Sequence, residues 1–566
     1  MNQPKLSEQQ NVINLDAPLQ LKTAEIRFSA AVASHCPILA SDHLGELFQS
    51  NVCENSKCKN SMKNFSVHRT KCAALIKNVI AKAIKEELKN ALCGQAYSIL
   101  IDEWSDIDVR PQLGVVCMYY SDESCSFVSQ FLGLISLESS NADGIFEKLS
   151  AVLKDYGLEW EKLVGFGSDG ASVVSGRNNS VWTRIKSKSP EAIHLTCICH
   201  SLNLVAEVAF NELPSRLSAL LKMVPKWFKN SFKRKEQYNE LFRAFESCSS
   251  TEIKSNPFNS ISTTRWLCRE RVIKGILENW IVLREYFESM LSELKNDQKF
   301  TANLIVEILR DEENYKILKV VYPVISLLES KNQLFQKDYI NPLSAVEELD
   351  FLQKSFETRL LDYQGNELPI EKVDFGYECN SLNLSMNSKI RIQNFLQTTL
   401  REVTKRCQNS KDKIRSIGFA GQRHVLSIQS KPLFSSFPDN FLKTHDAEQE
   451  YRLLSAENWQ ERAASDIYEL SVIEFWSFVK NNPRFKNIGT YMLSLLNIPI
   501  SNASVERIFS MAGALKSKSR NRMLISTVES IILIKTFFNL HDTCCTDFEV
   551  TDRMLSLFTG SMYVKN

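Results

Sequence analysis

The sequence predicts an α+β protein in which a mixed β-sheet core is interrupted by a large all-α insertion and followed by a C-terminal helical segment. Three observations support this prediction. Strand-like apolar runs are concentrated between residues 97 and 196, helical periodicity dominates residues 200 to 490, and an apolar helical stripe returns after residue 525.

The first part of the chain predicts the sheet. A polar, mostly helical region ends near residue 90, and three strand-like runs joined by short links then predict an antiparallel meander. A helix, a buried strand, a helix, a short strand and a further helix complete the order β-β-β-α-β-α-β-α, which is expected of a ribonuclease H-like core. The predicted strands are Tyr97–Asp102, Leu113–Tyr120, Phe127–Ile135, Leu163–Asp169 and Ile193–Thr196.

Helical periodicity in the middle of the chain predicts long helices. Residues 408–457 are irregular and polar, which predicts a loop or partly mobile connector. The predicted long helices include Val272–Leu294, Ala302–Leu328, Pro342–Leu361 and Met386–Cys407. The predicted domains are an N-terminal helical and polar region (1–90), the first part of the sheet core (91–210), the helical insertion (211–480), the completion of the core (481–545) and a tail (546–566).

Composition excludes several classes of protein. With 44% hydrophobic and 24% charged residues, the chain is typical of globular proteins. A formal charge of +2 gives no global footprint of a nucleic-acid binder, so any DNA contact must use local patches. No run predicts a membrane span or a secretory signal. The 15 scattered cysteines favour reduced thiols in the nucleus or cytoplasm.

Two acidic residues stand at the ends of apolar strands and are candidates for catalysis. Asp102 ends the run that begins at Tyr97, and Asp169 ends the run that begins at Leu163. Carboxylates at the tips of central strands lie beside the crevice where open α/β sheets bind ligands, and two of them can share divalent metal ions. The alternative is that each acid only ends a strand and begins a turn.

A third acid, Glu506, lies in the block Ile498–Ser510 near the C-terminus. This block and the Ser-Asp-Gly-Ala-Ser sequence around Asp169 resemble motifs of hAT-superfamily transposases, over about residues 70 to 540 and without a recognisable BED-type finger. The resemblance implies that Asp102, Asp169 and Glu506 are catalytic and bind Mg²⁺ or Mn²⁺. The alternative for the block is an amphipathic helix that only packs a core.

The resemblance also implies a function and partners. A hAT transposase cuts DNA at transposon ends by metal-assisted hydrolysis and joins the freed 3′ hydroxyl to target DNA. We therefore expect DNA and a second copy of the chain as partners, no membrane, no small-molecule substrate, and a location in the nucleus, with the cytoplasm as an addition. Residues 481–545 would include a dimerisation region with the apolar residues Ile508, Phe509, Ile531, Ile534 and Phe538.

Two accessory motifs resemble the same family. The Cys-x-x-His motif contains Cys197 and His200, and an Arg-Trp element contains Arg265 and Trp266. An imidazole and a guanidinium can bind phosphate oxygens, and an indole can stack on a base, so His200, Arg265 and Trp266 are candidate DNA contacts. A role in the core is the alternative for Trp266 and His200.

Two basic clusters are further candidates for DNA binding. Basic and aromatic residues alternate in the segment 226–235, a composition suited to a phosphate backbone, although an amphipathic helix with inward aromatics fits equally. The segment 516–522 follows Glu506 and could hold DNA near the active site or form a solvated turn. The candidate residues are Lys229, Lys233, Arg234, Lys518, Arg520 and Arg522.

We do not expect zinc. The spacing of Cys53, Cys58, His68 and Cys72 fits no common zinc finger, and no second ligand pair follows Cys197 at finger spacing. Two rival functions stay open. One is a domesticated protein that keeps the transposase fold for dimerisation and DNA or protein binding without catalysis, and the other is an unrelated ribonuclease H-like nuclease.

Overall fold

The computed structural model describes residues 19–51, 64–105, 110–229, 231–246, 269–462, 466–517 and 522–563. The chain divides into two units. The first contains Met1–His194, Asp439–Glu450 and Trp476–Asn566, and the second contains Leu195–Pro438 and Tyr451–Phe475. Among the described residues, no helix is both long and apolar enough to cross a membrane.

A five-stranded sheet organises the first unit. Its strands are β1 (Tyr97–Ser105), β2 (Pro111–Ser121), β3 (Ser126–Ser136), β4 (Leu163–Ser168) and β5 (Ile193–Thr196), and β5 includes the residues at which the two units divide. The strand order is β3-β2-β1-β4-β5. β2 pairs antiparallel with both β1 and β3, whereas β4 pairs parallel with β1. The five predicted strands and the mixed sheet are therefore confirmed.

The two faces of β1 differ because successive side chains of a strand point to opposite sides. Ile99 and Ile101 belong to a buried apolar cluster that also contains Leu149 and Ile185 from two covering helices. The intervening residues of β1, including Asp102, face the opposite side. That side of the sheet is covered by residues from the C-terminal part of the chain.

Helices surround the sheet in the first unit. The helix Ala142–Tyr156 ends at Gly157 in the left-handed conformation, with φ 68°. The remaining helices and helical turns of this unit are Leu19–His35, Ala40–Asn51, Arg69–Ala74, the π-helical turn Leu75–Ile80, Ala81–Leu92, Trp160–Lys162, Ser172–Ser175, Val181–Lys188, Lys486–Leu496, Ala503–Leu515, Ile525–Leu540, Asp552–Leu557 and Gly560–Tyr563.

The described residues of the second unit form helices and connecting loops after β5. Its helices and helical turns are Ile198–Phe210, Ser215–Lys229, Phe232–Glu246, Glu270–Glu278, Trp280–Met290, Asn296–Arg310, Glu312–Phe335, Pro342–Leu360, Ile370–Lys372, Tyr377–Leu382, Met386–Arg415, Gly418–Ala420, Gln422–Val425, Phe434–Ser436 and Trp459–Arg462. The helices His445–Leu454 and Val472–Asn481 include residues at which the units divide.

Three predictions for the helical region were wrong in detail. The predicted helix Val272–Leu294 is broken at Asn279, whose buried side chain accepts a hydrogen bond from Tyr238 Oη at 3.0 Å. The predicted helix Ala302–Leu328 is interrupted at Asp311, which caps the next helix by accepting from the Glu313 N–H. Residues 408–457 are only partly irregular, since one helix continues to residue 415 and another begins at 445.

Candidate active site

Asp102 and Asp169 lie at the same edge of the sheet. In the parallel pair of β1 and β4, the last paired position is Leu100 opposite Gly167. Two residues further along each strand the chain reaches Asp102 and Asp169, and neighbouring strands are about 4.8 Å apart. Because β4 ends at Ser168, Asp169 stands directly beyond its carboxyl end. Asp102 is not the strand end that the sequence predicted, since β1 continues for three more residues.

Each of these two carboxylates is oriented by a backbone hydrogen bond. Asp169 Oδ1 accepts from the Ala171 N–H at 2.9 Å, across a turn in which Gly170 has φ 89°. Asp102 Oδ1 accepts from the Glu103 N–H at 2.9 Å. Both side chains are partly exposed, so their remaining oxygen lone pairs can reach a ligand from solvent.

The segment that precedes Glu506 is anchored to the face of the sheet that carries Asp102. The buried side chain of Asn497 donates to the carbonyl oxygens of Met118 at 3.1 Å and Ala96 at 3.3 Å. In return, the Ser98 hydroxyl donates to the Asn497 carbonyl oxygen. These bonds satisfy backbone groups of two neighbouring strands and fix where the C-terminal segment enters the sheet.

Two further contacts align the helix Ala503–Leu515 along β1. The side-chain amide of Asn502, which is 1% exposed, donates to the Ile101 carbonyl oxygen at 3.0 Å. Two turns later, the ring of Phe509 stacks on Trp104 with centroids 5.9 Å apart and an interplanar angle of 18°. The helix therefore begins beside Ile101 and runs toward the end of β1.

These two contacts place Glu506 near Asp102. Glu506 comes four residues after Asn502 and three before Phe509, and residues at these spacings share one helix face. On β1, the contacted residues lie one position before and two positions after Asp102. The sheet edge that holds the two aspartates thus also receives Glu506, which is partly exposed.

Two glycines permit this close approach. Gly114 is opposite Asp102 on β2, and a Cβ atom there would lie 2.7 Å from Phe509 Cε1. A Cβ atom at Gly167 would lie 3.1 Å from the ring of Pro499. Any larger residue at Gly114 would therefore push the helix away from the strand that carries Asp102.

A fourth acid at this edge, Glu103, was missed by the sequence prediction. Burial raises the pKa of Glu103, the negative charge of Asp169 raises it further, and a hydrogen bond with Ser140 lowers it. The charge of Asp169 therefore acts on Glu103 at this edge of the sheet. The only signal in the sequence is its position directly after Asp102.

The donors at this edge fit a hard divalent cation. They are carboxylate oxygens, which Mg²⁺ and Mn²⁺ prefer, and they are partly exposed. Among the described residues, the oxygens of the three predicted acids do not all lie within 4.8 Å of one another. A pair of ions about 3.5–4 Å apart takes its ligands from a wider span than a single ion.

The Cys-x-x-His motif begins a helix of the second unit. The buried Cys197 is the residue before the helix Ile198–Phe210, and its Sγ accepts from the backbone N–H of His200 at 3.5 Å. The His200 side chain is exposed. The spacing of this motif therefore matches helix capping, and the imidazole faces solvent. Arg265 and Trp266 lie outside the described residues.

The first basic cluster divides between core and surface. Trp227 and Phe228 are buried, so the interpretation with inward aromatic residues is correct for both. The guanidinium of Arg234 lies 3.8 Å from the ring centre of Trp227 and donates to the Trp227 carbonyl oxygen at 3.1 Å. Lys229 and Lys233 are exposed. In the second cluster Arg522 is exposed, whereas Lys518 and Arg520 lie outside the described residues.

The apolar residues predicted for dimerisation belong to the core of the first unit. Four of them are 5% exposed or less, and Phe509 packs on Trp104. A substitution such as Ile534→Asp would therefore disturb the fold of a single chain before it reported on dimerisation. The four buried residues are Ile508, Ile531, Ile534 and Phe538.

The N-terminal cysteine pattern is only partly visible. Cys53 and Cys58 lie outside the described residues. Cys72 is fully buried, and burial raises the pKa of its thiol to about 11. His68 is exposed and stands before the helix Arg69–Ala74.

Comparisons with known proteins match both parts of the candidate site. Residues 44–180, which include Asp102 and Asp169, match the family described as ZMYM1/FAM200, RNase-like domain. Residues 450–538, which include Glu506, match the hAT family C-terminal dimerisation region.

Two of the curated proteins that match the chain show how far the similarity extends. The Transposable element Hobo transposase of Drosophila melanogaster is 24% identical over 245 residues, which are 41% of this chain and 32% of the relative. The General transcription factor II-I repeat domain-containing protein 2 of Bos taurus is 29% identical over 119 residues, which are 20% of this chain and 12% of the relative. The chain thus spans a third or less of the length of either relative.

Proposed function

The chain is a hAT-family transposase-like protein, and we propose that it is a metal-dependent enzyme that cuts DNA strands at transposon ends and joins them to target DNA. We propose further that its sheet is a ribonuclease H-like core and that its helical second unit is an insertion into that core. The catalytic carboxylates in this proposal are Asp102, Asp169 and Glu506.

One observation carries the proposal. The hydrogen bond from Asn502 to the Ile101 carbonyl oxygen fixes the start of the Glu506 helix next to Asp102. Asp169 reaches the same edge through the register of β1 and β4. Three acids from distant parts of the chain are thereby directed to one edge of one sheet, where an open α/β sheet binds its ligand.

The donor set supports a role for Mg²⁺ or Mn²⁺ held by these three carboxylates. The chemistry that bound ions supply to such enzymes is activation of the attacking hydroxyl and stabilisation of the leaving oxygen of a phosphodiester. Asp102 would contribute charge from within β1, and Asp169 from the position directly after β4. Glu506 would contribute charge from the first turns of a helix whose position depends on Asn502.

DNA contacts and self-association belong to the same proposal. Exposed Lys229, Lys233 and Arg522 supply charge that can bind phosphate, and exposed His200 can donate a hydrogen bond. The match to a dimerisation region supports association of two copies. Leu524, which is 68% exposed, is a better residue for testing a dimer surface than the buried Ile534. Because the proposed activity is cutting and joining DNA, the proposal includes a nuclear location.

A second candidate is a domesticated protein without catalysis. The name of the bovine relative contains no reference to transposition. The formal charge of +2 gives the chain no general electrostatic preference for DNA. Such a protein would keep the sheet and the C-terminal region for binding DNA or a protein partner. Substitution of Asp102, Asp169 or Glu506 would then have no effect on its activity.

A cleavage assay separates the two candidates. The full chain is incubated with DNA that carries the repeats flanking its own gene, in the presence of Mg²⁺, Mn²⁺ or a chelator. Asp102→Asn, Asp169→Asn and Glu506→Gln are compared with Glu123→Gln, an exposed acid in the turn at the other end of the sheet.

The enzyme proposal predicts metal-dependent strand cleavage by wild type and Glu123→Gln, and loss of cleavage in the three acid variants with DNA binding retained. Each of these substitutions keeps the side-chain volume and removes a charge, so folding should be preserved. Equal behaviour of wild type and the three acid variants, with DNA or a protein partner still bound, would leave the domesticated protein as the better explanation.

A further inference from the structure

Three metal-ligating side chains meet on the surface of the first unit, away from the acids. His35 ends the helix Leu19–His35, whereas Cys544 and Cys545 follow the helix Ile525–Leu540. Cys544 Sγ lies 4.0 Å from His35 Nε2 and 3.8 Å from Cys545 Sγ. Among the described residues, these form the one group of three such side chains whose donor atoms all lie within 4.8 Å of one another.

The surrounding structure holds the two segments together without help from a ligand. The guanidinium of Arg27, two turns before His35, donates to the Thr546 carbonyl oxygen. The turn that carries the cysteines is closed by a hydrogen bond from the Asp547 N–H to the Cys544 carbonyl oxygen at 3.0 Å. The three ligands are therefore brought together by the fold, although 509 residues separate His35 from Cys544.

The distances match a tetrahedral zinc site. Zn–S bonds of about 2.3 Å at tetrahedral angles separate two sulfur ligands by about 3.8 Å. The separation of the two sulfurs is 3.8 Å. Cys544 Sγ lies 4.0 Å from His35 Nε2, a few tenths of an ångström more than Zn–S and Zn–N bonds of about 2.3 and 2.0 Å give at a tetrahedral angle. The sulfurs are much too far apart for a disulfide, whose bond length is about 2.05 Å.

The donor types decide which metal the site prefers. Two thiolates and one imidazole are soft or borderline ligands, which favour Zn²⁺ over Mg²⁺, Ca²⁺ and Mn²⁺. His35 and Cys544 are exposed and Cys545 is partly exposed, so an ion has a path of entry from solvent. The acids near Asp102 offer only oxygen, so the two sites differ in the metals they select.

We propose that His35, Cys544 and Cys545 bind a zinc ion that clamps the N-terminal helix to the segment after the helix Ile525–Leu540. The fourth position is taken by water or by Cys36, which follows His35 and lines the same cavity of about 370 Å³ beside Phe28 and Phe65. Binding stabilises the junction of the two segments because it adds a direct link between parts of the chain that are far apart in sequence and binds only the folded arrangement.

The test uses Co²⁺ as a spectroscopic probe for the zinc site in the full-length protein. Thiolate-to-cobalt charge-transfer absorption reports sulfur ligands and is not produced by carboxylate sites. Wild type is compared with Cys544→Ser/Cys545→Ser and with His35→Ala. The matched control is Cys93→Ser/Cys125→Ser, which removes two exposed cysteines elsewhere in the first unit.

We expect wild type and the control to bind one equivalent of Co²⁺ with thiolate absorption, displaced by one equivalent of Zn²⁺. The Cys544→Ser/Cys545→Ser variant should lose this signal. His35→Ala should weaken binding by more than the roughly 10–100-fold that loss of an outer-shell partner costs, because it removes a direct ligand. Zinc should raise the melting temperature of wild type and not of the double serine variant.

Circular dichroism checks that the variants fold. The same thiolate signal in all four proteins would overturn the proposal, because it would assign the sulfur ligands to other cysteines. Absence of the signal from folded wild type would overturn it as well. Neither outcome bears on cleavage of DNA, since the acid residues are unchanged in every variant.

Discussion

The side-chain amide of Asn502 donates a hydrogen bond to the carbonyl oxygen of Ile101 at 3.0 Å, across 401 residues of sequence. Asn502 immediately precedes the helix of Glu506, and Ile101 immediately precedes Asp102. This hydrogen bond therefore places the start of the Glu506 helix beside the residue before Asp102, although Asp102 and Glu506 are far apart in the sequence.

Substitution Asn502→Ala should impair cleavage more than it impairs folding. It leaves the buried Ile101 carbonyl oxygen without this donor, at a cost of about 1–3 kcal/mol, and releases the start of the Glu506 helix. Asn314→Ala is the matched control, because Asn314 is also fully buried and donates from its side chain to a backbone carbonyl oxygen, that of Ile308, in the second unit. Unfolding free energies and cleavage rates of both variants provide the check, and equal loss of cleavage would contradict this role for Asn502.

Substitution Gly114→Ala should destabilise the first unit by about 1–3 kcal/mol, the usual cost of overpacking. The added Cβ would lie 2.7 Å from Phe509 Cε1 and 2.8 Å from Val505 Cγ1. Gly418→Ala is the control, since a Cβ there meets nothing within 4 Å. Denaturant unfolding measures both, and a neutral Gly114→Ala would show that the helix Ala503–Leu515 is not packed as closely as described.

The partly buried Glu529 predicts a pH dependence of stability. Burial raises its pKa from 4.5 to about 7, the charges of Lys85 and Lys77 lower it, and that of Asp155 raises it. Because the folded-state pKa is the higher one, the contribution of Glu529 to stability is complete below pH 4.5 and is lost as the pH rises through 7. The loss is on the order of 3 kcal/mol at most.

Glu529→Gln should therefore stabilise the protein at pH 8 and have little effect at pH 4.5, as measured by denaturant unfolding at both values. The exposed Glu123→Gln serves as the control and should change stability little at either pH. An equal effect of Glu529→Gln at the two pH values would argue against a raised pKa.

Exposed lysines of the second unit predict a change in the salt dependence of DNA binding. If Lys229 and Lys233 each contact one phosphate, Lys229→Gln/Lys233→Gln should lower the slope of log K against log salt by about 1.8, since each phosphate contributes about 0.9. Lys295→Gln/Lys299→Gln removes the same charge from another exposed part of the unit. Identical slopes for the two double variants would exclude a specific role for Lys229 and Lys233.

The strands of the sheet could be predicted from the sequence because each is a local apolar run. The end of β1 could not be predicted from the sequence, because Trp104 near its end stacks on Phe509, a partner 405 residues away. The break at Asn279 has a similar cause, since its side chain bonds Tyr238 of a different helix. Such tertiary contacts override local helical periodicity.

The candidate site was predictable only in part for the same reason. Motif resemblance identified the three acids, but no local pattern pointed to Asn502 or Gly114 as the residues that bring them together. Glu103 was not among the predicted residues, because the motif resemblance pointed to its neighbour Asp102. The cluster of His35 with Cys544 and Cys545 had no signal at all, since its ligands come from opposite ends of the chain.

The most direct test of the proposed metal site is a crystal structure of the chain. The crystals are grown with Mn²⁺ and measured at a wavelength where manganese scatters anomalously. We expect anomalous peaks at the edge of the sheet, with carboxylate oxygens of Asp102, Asp169 and Glu506 among the ligands. Glu506 turned away from both aspartates, or manganese bound only elsewhere on the chain, would contradict it.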